Sequence, residues 1–169
     1  MKVNIKQQTN NKAQQKIKKF IEDSKNELKV GFLENSKYPD EDITTVQVAV
    51  NNEYGHITKD GAVVPARPFM KQTVEKNKSR WMNLFEKKIE QFDLDIIKTL
   101  NFIGLVAVGD MKDTIVNGSF APLSKETIER KGTSKPLIDT THMMNSIEYE
   151  ITKGGNKKWL MLQNLQRVQ

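Results

Sequence analysis

The sequence predicts an α+β fold: a small, mostly antiparallel sheet packed with a long central helix pair, plus an N-terminal helix. Three observations predict it. Two stretches of helical apolar spacing follow one another between Pro68 and Asn117, and short alternating segments stand on either side of them. Proline, glycine and Asp-Gly signals separate these pieces. At 169 residues the chain has the length of one domain, and no stretch reads as a linker between two. The expected organisation is a flexible basic arm over 1–11, one domain over 12–162 and a short tail over 163–169.

Element by element, Ile17, Phe20, Ile21, Ser24 and Leu28 recur at three- and four-residue spacing, so a helix is expected from about Lys12 to Leu28. Leu28, Val30 and Phe32 then alternate with Lys29, Gly31 and Leu33, which predicts a strand. Pro39 and the acids Asp40, Glu41 and Asp42 make the next stretch a loop. Thr44 or Thr45 can cap a short helix through Asn52, with Val46, Ala49 and Val50 inward and Gly55 as its stop. Asp60-Gly61 between β-prone flanks predicts a hairpin, and Pro65 and Pro68 hold the following residues extended.

Pro68 also suits the first turn of a long helix whose apolar stripe is Met70, Val74, Trp81, Phe85, Ile89 and Phe92. A break at Asp93 leads to a second helix over 94–117, with the stripe Leu100, Ile103, Ala107, Met111 and Ile115 and with Gly118 as its cap. Gly104 and Gly109 inside it each cost about 1 kcal/mol against alanine, so close packing at both is expected. Ser124 and Thr127 open a short helix ending at Gly132. Asp139 or Thr140 caps another that holds Met143 and Met144. Ile147, Tyr149 and Ile151 form a strand, and Trp159 to Leu162 return as its partner after a Gly154-Gly155-Asn156 turn.

Composition narrows the function classes. Hydrophobic residues make up 37% and charged residues 28%, which suits a thin fold with much surface left wet or reserved for partners. No apolar run of about 18 residues exists, so no membrane span is expected. The charged N-terminus lacks the apolar core of a signal peptide. Without cysteine, disulfides and thiolate chemistry are excluded. The net charge of +6 is local: six of the 27 basic side chains lie in the first 19 residues, which hold no acid, and the other 21 balance 21 acids. A nucleic-acid-binding body carries a basic face, whereas this one is a balanced body with a basic arm.

Catalytic constellations are missing from the pattern. His56 and His142 both fall in or beside turns, and neither has the converging ligands a metal site needs. Asp40, Glu41 and Asp42 lack the glycine and terminal glutamate of a calcium loop. The segment Arg130 to Lys135 has neither the spacing nor the strand–helix context of a phosphate loop. Ser119, Ser124 and Ser146 have no nucleophile elbow around them. No cofactor, no metal and no catalysis are expected.

The stretches VGFLENSKYPD, VAVNNEYG and VPARPFM, followed by GDMKDTIVNGSFAPLSKETIERKGTSKPLIDTTHMMNSIEYEI, carry a family likeness over about residues 28–152. Their order and spacing resemble those of phage tail-completion and neck proteins, a pattern that overlaps with the virion-morphogenesis proteins of Mu-like phages. The resemblance implies a structural virion protein: an α+β subunit closing into a ring, often a hexamer, between head connector and tail. Glu53-Tyr54-Gly55, the extended Pro65 to Phe69 and Pro136 to Asp139 carry the family's motifs, and none is catalytic there. The chain departs from that pattern at Asp139-Thr140-Thr141, where the family commonly has Asp-Thr-Gly, and in its unmatched C-terminal end.

The expected partners are further copies of the chain, head connector or adaptor proteins, tail terminator or tube proteins, and genomic DNA passing through the lumen without specific binding. Assembly would take place in the host cytoplasm, and no membrane is involved. The residues expected at such contacts are His56, Lys59, Asp60, Gly61 and Arg67 around the hairpin, and Arg130, Lys131 and Lys135 in the later loop. A tail terminator is the neighbouring reading. A small DNA-binding regulator using the Lys-rich arm is the reading from another class.

Overall fold

The computed structural model describes residues 5–32, 43–132, 134–137 and 142–154. Among them stand six helices and two small antiparallel sheets, an α+β fold built on a helix pair. In chain order they are α1 (Ile5–Asp23), β1 (Asn26–Phe32), α2 (Thr45–Tyr54), β2 (His56–Ile57), β3 (Val63–Val64), α3 (Phe69–Gln91), α4 (Ile96–Asn117), α5 (Lys125–Lys131), α6 (His142–Asn145) and β4 (Ile147–Lys153).

Local chemistry accounts for most boundaries. Thr44, Asp95 and Ser124 cap α2, α4 and α5 by accepting hydrogen bonds from the backbone N–H groups of Gln47, Lys98 and Thr127. Helix α1 begins at Ile5, so most of the expected flexible arm is helical. Residues 6–16 hold no glycine or proline and are rich in lysine and glutamine, so helix propensity sustains the turn where apolar spacing gives no signal. The same helix stops at Asp23 rather than Leu28, because Leu28 belongs to β1.

Strands β1 and β4 pair antiparallel from Asn26↔Lys153 to Phe32↔Ile147. The register sets Leu28, Val30 and Phe32 opposite Ile151, Tyr149 and Ile147 on one face, and Lys29 opposite Glu150 on the other. This chain-spanning pair joins the two ends of the described domain. Residues Trp159 to Leu162, expected as the partner of β4, lie outside the described residues, as do the loop around Pro39 and the candidate caps Asp139 and Thr140.

The sheet rests on α4. Gly104 lets it: a Cβ there would collide with the Tyr149 ring, and the Tyr149 hydroxyl donates to Asn101 Oδ1 at 3.0 Å. Gly109 is different, since a Cβ at that position meets nothing within 4 Å. The expectation of close packing holds for the first glycine and not for the second.

Helices α3 and α4 form the expected pair. The inward face of α4 is the expected one, with Ile103, Ala107, Met111 and Ile115 buried. On α3 the expected stripe is only partly covered: Met70, Trp81, Phe85 and Ile89 are half-buried, and the fully buried face lies to one side of it. Phe69, Thr73 and Asn77 point inward and Val74 is exposed, so the packed ridge lies beside the apolar stripe. Small polar residues can enter this seam because each is satisfied within its own helix. Thr73 donates to Phe69 O at 2.7 Å, Asn77 to Thr73 O at 2.9 Å and Thr114 to Asp110 O at 2.9 Å. Trp81 Nε1 donates to Asp110 Oδ2 at 2.7 Å, and Arg80 pairs with the same carboxylate, locking the helices together.

The core gathers Ala49, Phe69, Met111, Ile115, Leu137, Met143 and Ile147. Phe32 meets the Phe69 ring edge to face, with centroids 6.1 Å apart. Contributions from α2, α3, α4, α6 and β4 meet here. Leu137, Met143 and Ile147 give the part of the chain after α5 three of these core side chains.

Candidate interaction surface

The hairpin after α2 is the feature that projects. His56 pairs with Val64 and Ile57 with Val63, and the turn closes through Gly61 N–H donating to Thr58 O at 2.9 Å. Thr58 N–H reaches Ala62 O at 2.9 Å. Gly61 sits at φ 84°, the left-handed conformation that the Asp-Gly pair predicts. At the exposed tip, hydrogen bonds from Thr58 and then from its own backbone hold the Asp60 carboxyl below the usual carboxylate range.

Large apolar groups stand out on this projection. Ile57 is 71% exposed, its cross-strand partner Val63 77%, and Tyr54 at the end of α2 71%. A two-stranded ribbon of this size gains little by itself, so three exposed apolar side chains on and beside it form a surface suited to a partner.

The foot of the hairpin is fixed firmly. Glu53 is buried at the end of α2, and its carboxylate accepts from Met70 N at 2.9 Å and Lys71 N at 3.0 Å. These are orphan N–H groups of the first turn of α3, where the helix dipole favours an anion. Gly55 turns the chain at φ 74°, and a Cβ there would lie 2.7 Å from Val64 O. Arg67 N–H then closes onto Asn52 O at 2.6 Å. The chain enters and leaves the hairpin through a backbone clamp.

Arg67 departs from its expected role. It is 4% exposed, and its guanidinium donates through Nε to Ala121 O at 3.0 Å and through Nη2 to Pro122 O at 3.4 Å. Burial pushes its pKa down, though arginine stays protonated. The side chain therefore ties the foot of the hairpin to the segment leading into α5, and it is not displayed as a contact residue. The extended Pro65 to Phe69 stretch explains this, since it carries Arg67 inward between two prolines.

His56, Lys59, Asp60 and Gly61 do come together on the hairpin. His56 lies at its base, half-buried, and its Nδ1 finds no partner among the described residues. Arg130 and Lys131 lie at the end of α5, with side chains outside the described set, while Lys135 is exposed in the following loop. The more informative residues, Tyr54, Ile57, Val63 and Glu53, were not singled out by charge. The signal that marks them is apolar side chains on the strands of a ribbon too short to bury them, and a carboxylate sixteen residues before a helix start. His142 Nε2 lies 3.4 Å from Thr45 Oγ1, so it packs between α6 and α2.

Among the described residues no group of three His, Asp or Glu side chains is arranged to hold a metal, and no helix is long and apolar enough to cross a membrane. No family model, no curated protein and no solved structure matches this chain.

Proposed function

We propose that this chain is a structural assembly subunit, a neck protein of a tailed phage that closes into a ring, hexameric by the resemblance, and joins the head connector to the tail. The observation that carries the assembly reading is the clamped hairpin with Tyr54, Ile57 and Val63 exposed. The phage assignment rests on the motif order described above. In this reading the hairpin contacts a neighbouring copy or a head protein, tail proteins seat on the opposite side, and DNA passes through the lumen without specific binding. Ring closure and surface complementarity do the work, with no turnover. The protein would assemble in the host cytoplasm and finish in the virion. A tail terminator uses the same physics and differs only in its neighbours.

Light scattering on the purified chain, followed by electron microscopy of the particles, tests this. A closed oligomer that falls to monomer in an Ile57→Asp/Val63→Asp double variant supports the reading. A wild-type chain that stays monomeric at about 100 μM, well above the micromolar range of weak specific interfaces, sinks it.

The second reading, a DNA-binding regulator, draws on the exposed Lys12, Lys18 and Lys19 of α1. Phosphate contacts by these residues would give an affinity that falls steeply with salt, whereas an absence of binding at low salt discards it.

A further inference from the structure

Helix α4 keeps one side open. Ile103, Ala107, Met111 and Ile115 fill its inner face, Asp110 is held by Trp81 and Arg80 of α3, and Gly104 lies under the Tyr149 ring. On the outer side Leu105 is 64% exposed, and Gly109 and Lys112 follow it at four- and three-residue steps, which places all three on one helix face. A glycine inside a helix costs about 1 kcal/mol against alanine. Gly104 offsets that by admitting Tyr149, whereas a Cβ at Gly109 meets nothing of its own chain within 4 Å. Next to an exposed leucine, Gly109 is a notch that another backbone can approach closely.

The hairpin has the dimensions and charges to fill it. Ile57 and Val63 stand opposite each other on one face of the ribbon, and Asp60 lies three residues past Ile57, about 10 Å along an extended strand. Leu105 and Lys112 are seven residues apart, also about 10 Å along a helix. A ribbon laid along α4 with its tip toward the C-terminal end therefore sets Ile57 and Val63 over Leu105 and Gly109, while Lys59-Asp60 reaches Lys112-Asp113. The two dipeptides carry opposite charges in matching positions: Lys59 can meet Asp113, and Asp60 can meet Lys112. Asp113 is exposed, accepts from Asn117 at 2.7 Å and stands 3.9 Å from Lys76, which leaves carboxylate lone pairs for a further cation.

A hairpin cannot serve the α4 of its own chain. Its foot is tied beside the C-terminal end of that helix, through Arg67 to Ala121 and Pro122 and through Gln72 to Ser119. Leu105 lies about 20 Å back along the axis from Gly118, and the ribbon extends only about 13 Å from His56 to Asp60. Other exposed apolar pairs, Ile17 with Ile21 on α1 and Val74 with Met82 on α3, have no glycine in their helices to admit a backbone.

We infer that the hairpin of one copy seats on the outer face of α4 of the next, with Ile57 and Val63 against Leu105 and Gly109, Lys59 against Asp113 and Asp60 against Lys112. The inference rests on the assembly reading above and names the surface that receives the hairpin. Giving and receiving surfaces differ, so the contact is head-to-tail, the kind that repeats around a ring.

Light scattering on three proteins tests it: the wild type, the hairpin variant Ile57→Asp/Val63→Asp, and an α4 variant, Leu105→Glu/Gly109→Gln. The four positions are exposed, and glutamate and glutamine favour helix over glycine, so the α4 variant should keep its fold in a thermal melt. At about 100 μM the wild type should be oligomeric and each variant monomeric. An equimolar mixture of the two variants should form a heterodimer and grow no further, because one intact contact remains between them. An α4 variant that assembles like the wild type overturns the inference, and so does a mixture that stays monomeric, as hairpin-to-hairpin contact would give. Both results leave the assembly reading standing, whereas a monomeric wild type removes that reading and this one with it. Charge reversal gives a second check. Asp60→Lys and Lys112→Asp should each raise the concentration of half-assembly about two- to fivefold, and the two together in one chain should restore it. A double variant no better than either single one overturns the proposed register.

Discussion

At Gly55 one hydrogen in place of a side chain decides whether the hairpin can leave α2 at all. The residue combines a positive φ with a backbone carbonyl and a backbone N–H within 3 Å of the Cβ position, and neither neighbour can yield. Gly55→Ala should therefore cost more than the roughly 1 kcal/mol of a left-handed alanine, about 2–4 kcal/mol in urea denaturation. Asp60 offers a second reading at this scale. Its carboxyl is held below the ordinary value near 3.9 by Thr58 first and by its own backbone second. A depressed carboxyl contributes order that is present above the unfolded pKa and lost as pH falls through the folded one. Thr58→Val should thus move the Asp60 titration midpoint upward in a carboxyl-detected NMR titration, and the hairpin should loosen only on acidification.

For the elements, the two helical glycines of α4 separate propensity from packing. Both carry the same intrinsic penalty, and the sequence gives no means to rank them. Gly109→Ala should stabilise by up to about 1 kcal/mol, because the new methyl meets only solvent. Gly104→Ala should destabilise by about 1–3 kcal/mol despite the same propensity gain, because the Tyr149 ring must move and strand β4 with it. Paired thermal melts of the two variants check the opposite signs. The offset on α3 has a related cause. An apolar stripe marks where a helix can bury surface, but Phe69 anchors this helix in the core at its first residue, and the turns that follow inherit that orientation.

In the whole molecule, the segments 51–70 and 121–147 form one structure. Arg67 reaches from the first to Ala121 and Pro122 in the second, and Ala49 and Phe69 share the core with Leu137 and Met143. Arg67→Ala should strip donors from two carbonyls. A loss of about 2–3 kcal/mol is expected, with faster amide exchange in residues 118–128 before the rest of the domain. Unchanged exchange in that segment would show that the clamp is not what holds it. The hairpin is thereby braced from both stretches.

Much of this was legible locally. Thr44, Ser124 and Gly132 announced their helix ends, Asp60-Gly61 its turn, and Ile103, Ala107, Met111 and Ile115 their buried face, because caps, turns and amphipathic spacing act within a few residues. The pairing of β1 with β4, the burial of Arg67, the unequal fates of Gly104 and Gly109 and the clamp of Glu53 on α3 were not legible. Each depends on which distant surface arrives, and sequence spacing carries no information about that arrival. The sequence by itself determined most of the elements. Tertiary structure alone decided which charges are spent inside and which apolar side chains are left outside, since burial is a property of neighbours rather than of residues.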